Sequence, residues 1–499
     1  MFDVCSLLSQ PGILNFRNWF SGIDATNLSL KGSHISSLES GVQLSMQSFR
    51  VSILGQAAAG ILLLLCACSA FAGSSATLLL EEPYGAMGFF TATGHAAVYL
   101  SGICAETPVV LRPCHPGESG VVISRYDGVG KYDWVAIPLI PYLYAVDRAE
   151  DVPLFADAKM TAFLRDRYRR EYLEAIAPDV RDGETPGGNW YELVGSSYDR
   201  TIYGYEIETT PQQDLALIRK LNSSPNISHF HLVSRNCADF AKDIINFYYP
   251  KALHRSVFAD VGMTTPKQMA KMMTKYNVRH RQLQFSRIAI AQVPGSMPRS
   301  APVHGVVESF LKSKKYIVPS AIASPIFAGC VAGVYFTTGA GHFEPARNAK
   351  VWVVGGQPEA PVDREDVKAY QAQFKHYLAE EHPDAAAPRL EKNWERLQSR
   401  ARASVDAQGR PVLQMTVGEE TVRVGATAYN LLDGSAPPEM VRDLIEARLE
   451  AELRHASPHS ISQTEFERDW KLLEKVTVQN DSRITSRSAS LDNMRGNQQ

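Results

Sequence analysis

Two uncharged apolar runs limit what this chain can fold into. Val51–Gly73 (VSILGQAAAGILLLLCACSAFAG) and Tyr316–Gly339 (YIVPSAIASPIFAGCVAGVYFTTG) are each long enough to span a bilayer. Folded cores are therefore expected in the blocks between and after them. The first run also reads as a secretory signal if translation begins at Met46. Arg50 supplies a short basic region, an apolar stretch follows, and Ala70-Phe71-Ala72 before Gly73 forms a small-x-small cleavage site. Leu65-Cys66-Ala67-Cys68 loosely resembles a lipoprotein box with Cys68 as the lipid-bearing residue. The second run follows Lys312, Lys314 and Lys315 and is expected to be a transmembrane helix; its two prolines leave a buried helix or an apolar linker as the alternative. Residues 1–50 are polar, mixed and without periodicity.

Export changes how the seven cysteines are read. Cys5, Cys66 and Cys68 fall before or within the first run, leaving Cys104, Cys114, Cys237 and Cys330. Outside the cytoplasm, Cys104 and Cys114 are positioned to form a disulfide. A formal net charge of -2 and a pI near 6.7 give no electrostatic footprint for nucleic acid, which is excluded as a partner. No phosphate-binding glycine loop occurs, and no cofactor is expected.

Residues 74–310 mix strand and helix signals and read as an α+β domain. The runs GHAAVYLSGI (94–103) and TPVVLRPC (107–114) read as a hairpin turning near residue 105, and SGVVISRY and YDWVAIPL continue the strand signal. Helical spacing takes over at 156–177. TIYGYEIET is a further strand, and helices open at Thr210-Pro211 and Thr265-Pro266, where proline in the first turn sacrifices no hydrogen bond. The aromatic cluster of Trp190, Tyr191, Tyr198, Tyr203 and Tyr205 is read as core or as the lining of a substrate groove. Residues 345–476 form a smaller, mostly helical C-terminal block with a possible β-meander, and 477–499 read as a disordered tail.

SHFHLVSRN is read as a strand running into a helix that begins at Cys237. That helix carries Cys237, Phe240, Ala241, Ile244, Ile245 and Tyr248 at 3- and 4-residue spacing, with Asn236 as its N-cap and Pro250 beyond its end. A cysteine here is either a small core residue or a nucleophile. A helix N-terminus beside a histidine lowers a thiol pKa, and the cap leaves the Cys237 amide free for an oxyanion. Asp239 opposes this if its charge faces the thiol. The partner histidine is expected to be His95. In the hairpin register residues 113–117 lie opposite it, bringing His115 into reach as an orienting group, with Glu106 as competitor. A zinc site from His95, Cys104, Cys114 and His115 matches no common ligand spacing.

TGHAAVYL followed later by SRNCADFA resembles the circularly permuted branch of the NlpC-type papain-like superfamily, which includes lecithin:retinol acyltransferase-like proteins. The resemblance covers about residues 84–275. It implies a papain-like fold, an antiparallel sheet packed on the cysteine-bearing helix, and a thiol hydrolase or acyltransferase with Cys237 as nucleophile and His95 as base. Cell-wall peptides or acyl lipids are the implied substrates. The resulting expectation is an envelope-associated enzyme in the cell membrane with its catalytic domain outside the cytoplasm. The alternative is a catalytically silent, membrane-anchored protein whose C-terminal block binds a partner.

Overall fold

The computed structural model describes residues 74–478, apart from 86–91, 182, 228–229, 281–283, 339–341, 354, 382–398, 400, 418, 434–435 and 455–460. The expected N-terminal extension, the signal or anchor at 51–73 and the tail beyond 478 lie outside the described residues.

The chain forms a mixed α/β structure around a seven-stranded sheet. The first six strands are β1 (Ser74–Glu81), β2 (His95–Leu100), β3 (Ile103–Thr107), β4 (Val110–Pro113), β5 (Val121–Ser124) and β6 (Val135–Pro138). They are followed by α1 (Leu139–Tyr144), α2 (Ala158–Tyr172), α3 (Ser196–Asp199), β7 (Ile202–Thr209), α4 (Pro211–Ser223), α5 (Cys237–Tyr248), α6 (Pro266–Arg279) and β8 (Phe285–Ile290). Next come α7 (Val306–Lys312), α8 (Lys314–Ala323), α9 (Pro325–Thr338), β9 (Lys350–Val351), α10 (Arg364–Glu381), β10 (Arg402–Val405), β11 (Pro411–Val417), β12 (Glu420–Gly425), α11 (Pro438–Arg454) and α12 (463–478).

The sheet runs β6-β5-β2-β1-β7-β8-β9 and is antiparallel except at β8–β9. Its central strand, SSATLLLE, is buried on both faces, which is why it lacks the polar alternation of a half-exposed strand. Leu78 and Leu80 face a core shared with Phe240, Ile244 and Ile245 of α5. Leu79 faces a second core that extends through α2 and α11 to Val476. Fully burying each large side chain of the α5 stripe contributes roughly 1.5–3 kcal/mol, fixing that helix against β2. Residues beyond 345 therefore complete a core begun at β1, and they include the three-stranded meander β10-β11-β12.

Two expectations are corrected. No helix among the described residues is long and apolar enough to cross a membrane, so the transmembrane reading of 316–339 fails. Pro325 disfavours helical backbone at Ser324, which is extended at φ -152°, ψ 86°. The apolar run becomes two short helices, α8 and α9, with Phe310 of α7 against Tyr316 and Phe327. The expected hairpin is also absent: β2 pairs with β1 and β5, whereas Ile103–Thr107 turns back on Val110–Pro113 as a separate ribbon. Cys104 and Cys114 bridge the base of that ribbon in a disulfide.

Candidate active site

The cysteine helix begins where the sequence places it. Asn236 caps α5, accepting from the Asp239 N–H at 2.9 Å, and the Asp239 carboxylate reaches back to the Asn236 N–H at 3.4 Å. This reciprocal arrangement is the capping box. The segment before it is not the expected strand. Residues 230–235 turn through a single bridge between His231 and Arg235, and His231–Arg235 is exposed. The helix start is held from the sheet side instead, by Arg125 just beyond β5. Its guanidinium makes two bonds to Asp133 at 2.9 and 2.7 Å, donates to the Asn236 carbonyl at 3.3 Å, and lies 5.1 Å over the Phe240 ring.

Asp239 does not oppose the thiol as feared. Its carboxylate accepts from Thr264 Oγ1 at 2.6 Å and from Arg255 at 2.9 Å, with Lys242 at 3.5 Å. The backbone N–H groups of Ala96 and Ala238 lie near enough to the Cys237 sulfur to favour its thiolate. Ala96 follows His95 on β2, so the sulfur sits against the histidine strand.

His95 is presented by Gly94, whose φ of +71° suits glycine. A Cβ there would lie 2.1 Å from the Glu81 carbonyl oxygen. The ring stacks on Tyr126 at 4.9 Å, and Nε2 lies 2.9 Å from Ser124 Oγ. Ser124 also donates to the Ala96 carbonyl at 2.8 Å. That carbonyl can only accept, so the single hydroxyl proton is committed to it, and Ser124 receives the Nε2–H of His95. The neutral tautomer with a free Nδ1 lone pair is thereby selected.

Ser124 therefore takes the orienting position that the sequence assigned to His115 or Glu106. His115 is an exposed residue of the disulfide ribbon, with Nδ1 3.4 Å from Glu118, and Glu106 pairs with Arg112 at 3.0 Å. Neither lines the cavity beside Cys237. The sequence signal for Ser124 was present in SGVVISRY, but only the pairing of β5 with β2 brings it to His95. The zinc alternative loses its ligands, because the sulfurs of Cys104 and Cys114 are bonded to each other.

A cavity of about 270 Å³ opens on this pair, lined among others by Tyr84, Arg125, Tyr191, Glu192, Arg200 and Leu232. Of the aromatic cluster, Tyr191 reaches the cavity, whereas Tyr198 and Tyr205 are core. Behind His95 lies a buried polar layer. Glu81, directly across the β1–β2 ladder, pairs with Arg200 at 3.1 Å and accepts from Tyr142; Arg200 lies 4.3 Å over Tyr84. Burial raises the Glu81 and Glu192 carboxyls above their usual range despite the nearby Arg200.

The electrostatics reverse the expected thiol activation. Burial pushes the Cys237 thiol up to about 11, outweighing the N–H groups of Ala96 and Ala238, with Glu192 and Glu81 adding to the rise. Burial and the Arg200 charge hold His95 down to about 3. The resting site thus holds a neutral thiol and a neutral imidazole. Comparisons with family models, with curated proteins and with solved structures found no match to this chain.

Proposed function

We propose that this protein is a cysteine hydrolase or acyltransferase that cleaves an amide or ester through an acyl-enzyme. The observation that carries the reading is the double contact of Ser124 Oγ, to His95 Nε2 and to the Ala96 carbonyl, which favours a His95 whose Nδ1 is left as a base in the cavity that Cys237 also lines. In the proposed reaction the Cys237 proton passes to Nδ1 as sulfur attacks the substrate carbonyl carbon. The imidazolium formed then protonates the departing amine or alcohol. Water or an acceptor alcohol, deprotonated by the same nitrogen, releases the acyl group. The Cys237 backbone N–H at the start of α5 is the donor left available to the oxyanion, and Tyr84, Tyr191 and Leu232 offer the substrate apolar walls.

The resemblance of the two motifs supports cell-wall peptides or acyl lipids as substrates. The Cys104–Cys114 disulfide supports a location outside the cytoplasm, in the envelope. One observation favours the second reading, a catalytically silent papain-like domain: the raised thiol and depressed imidazole leave no resting thiolate. An acyl-transfer burst separates the two. With p-nitrophenyl acetate, the wild-type protein should release one equivalent of nitrophenol and carry an acetyl group on Cys237. Cys237→Ala should abolish the burst and His95→Ala should slow it; a wild-type protein with neither a burst nor any Cys237-dependent turnover would favour the silent reading.

A further inference from the structure

On α6, Lys267, Lys271, Lys275 and Arg279 succeed one another at four-residue intervals and share one face of the helix. Like charges at this spacing repel and destabilise a helix. Lys267 is neutralised by Glu308 at 2.7 Å. The other three line a cleft of about 380 Å³ together with Lys251 and His254, and none of the residues lining it is acidic. No ion pair joins Lys251, Lys275 or Arg279 to a carboxylate among the described residues. The Lys271 ammonium donates to the Thr338 carbonyl at 2.8 Å; burial and the neighbouring Lys275 hold its pKa below the usual range. This cluster is invisible to the net charge of the chain, -2.

We propose that this cleft is a binding site for a phosphate group. Three lysines and an arginine line one cleft, supplying ammonium and guanidinium donors for charge-assisted bonds to phosphate oxygens. A bound anion relieves the repulsion along α6. The surroundings suit a phosphate carried by an amphiphile. Phe258, 73% exposed, stands on the cleft wall, and Thr338 ends α9, beside which Ile322, Ile326, Phe327 and Phe336 are exposed. Between Tyr316 and Thr338 no residue is charged. The site is independent of the chemistry at Cys237.

The test uses the full chain and the double variant Lys275→Gln/Arg279→Gln. In one arm, thermal unfolding is followed with inorganic phosphate or glycerol 3-phosphate against chloride at matched ionic strength. In the other, flotation is followed with vesicles of phosphatidylglycerol in phosphatidylcholine against phosphatidylcholine alone. Wild type should be stabilised by phosphate, float with the anionic vesicles, or both. The double variant should bind about tenfold or more weakly, the equivalent of losing one charge-assisted bond, while unfolding without phosphate no earlier than wild type. Stabilisation without flotation assigns a free phosphate compound, and flotation assigns a lipid headgroup. Binding in neither arm, or equal binding by the variant, overturns the site.

Discussion

Ser124→Ala isolates the orienting bond. The substitution removes the hydroxyl that receives His95 Nε2–H at 2.9 Å and donates to the Ala96 carbonyl at 2.8 Å. A buried carbonyl and a half-buried ring N–H lose that partner, so stability should fall by about 1–3 kcal/mol. The effect on chemistry follows from charge. During attack the ring gains a proton, and the bond from Nε2–H to Ser124 becomes a bond from a cation. Such bonds contribute about 1.5–3 kcal/mol, so the acylation rate should drop by roughly 10- to 150-fold. Loss of the tautomer preference adds to this by leaving part of the population with its lone pair on Nε2. The assay is the burst rate with p-nitrophenyl acetate across pH, alongside thermal unfolding. An unfolding effect alone, with a wild-type burst rate and pH profile in the folded variant, would refute the assignment of Ser124 as the positioning residue.

Three further outcomes are expected. Gly94→Ala must adopt a positive φ and place a Cβ against the Glu81 carbonyl, so the left-handed strain alone should cost about 1–2 kcal/mol; an unchanged melting temperature would contradict this backbone geometry. In a background with Cys5, Cys66, Cys68 and Cys330 all replaced by serine, alkylation of native Cys237 by iodoacetamide should keep accelerating above pH 9 towards its midpoint near 11, whereas a plateau below pH 8 would show a thiolate already present at rest. The folded state disfavours protonated His95, whose pKa is about 3 against an ordinary 6.5, so the unfolded chain binds more protons between these values. Stability is therefore fully present above pH 6.5 and lost as pH falls towards 3; denaturant titrations of His95→Gln should show a shallower acid slope than wild type, and equal slopes would count against a buried neutral imidazole.

The parts of the site legible in the sequence were those encoded locally. Asn236, Cys237 and Asp239 carry their capping pattern within four residues, and Gly94 announces the tight backbone before His95. The orienting residue was not legible, because it depends on which strands become neighbours. Ser74–Glu81 follows directly on an apolar run and carries no alternation, so β1 was not read as a strand and β2 was paired with the next plausible segment instead. That choice made His115 the partner and hid Ser124. The pKa directions were missed for a related reason. Helix end and histidine are visible in the sequence, but the enclosure that outweighs them comes from Tyr126, Glu81 and Glu192, which reach the site from three separate segments. The apolar run at 316–338 shows the reverse case: its length suggested a span, whereas the local punctuation at Ser324-Pro325 determined its shape.

The protonated resting state of Cys237 bears on how long its thiol stays intact. Peroxides, glutathione disulfide and other cysteines attack or are attacked through the thiolate, and a sulfur that keeps its proton to about pH 11 presents almost none at neutral pH. The same chain holds Cys104 and Cys114 as a disulfide, a bond that is commonest in oxidising compartments. Under the proposed reaction, in which the sulfur becomes anionic only when a carbonyl substrate and His95 meet it, Cys237 would stay reduced in an oxidising compartment, without sulfenic acid formation or capture in a mixed disulfide.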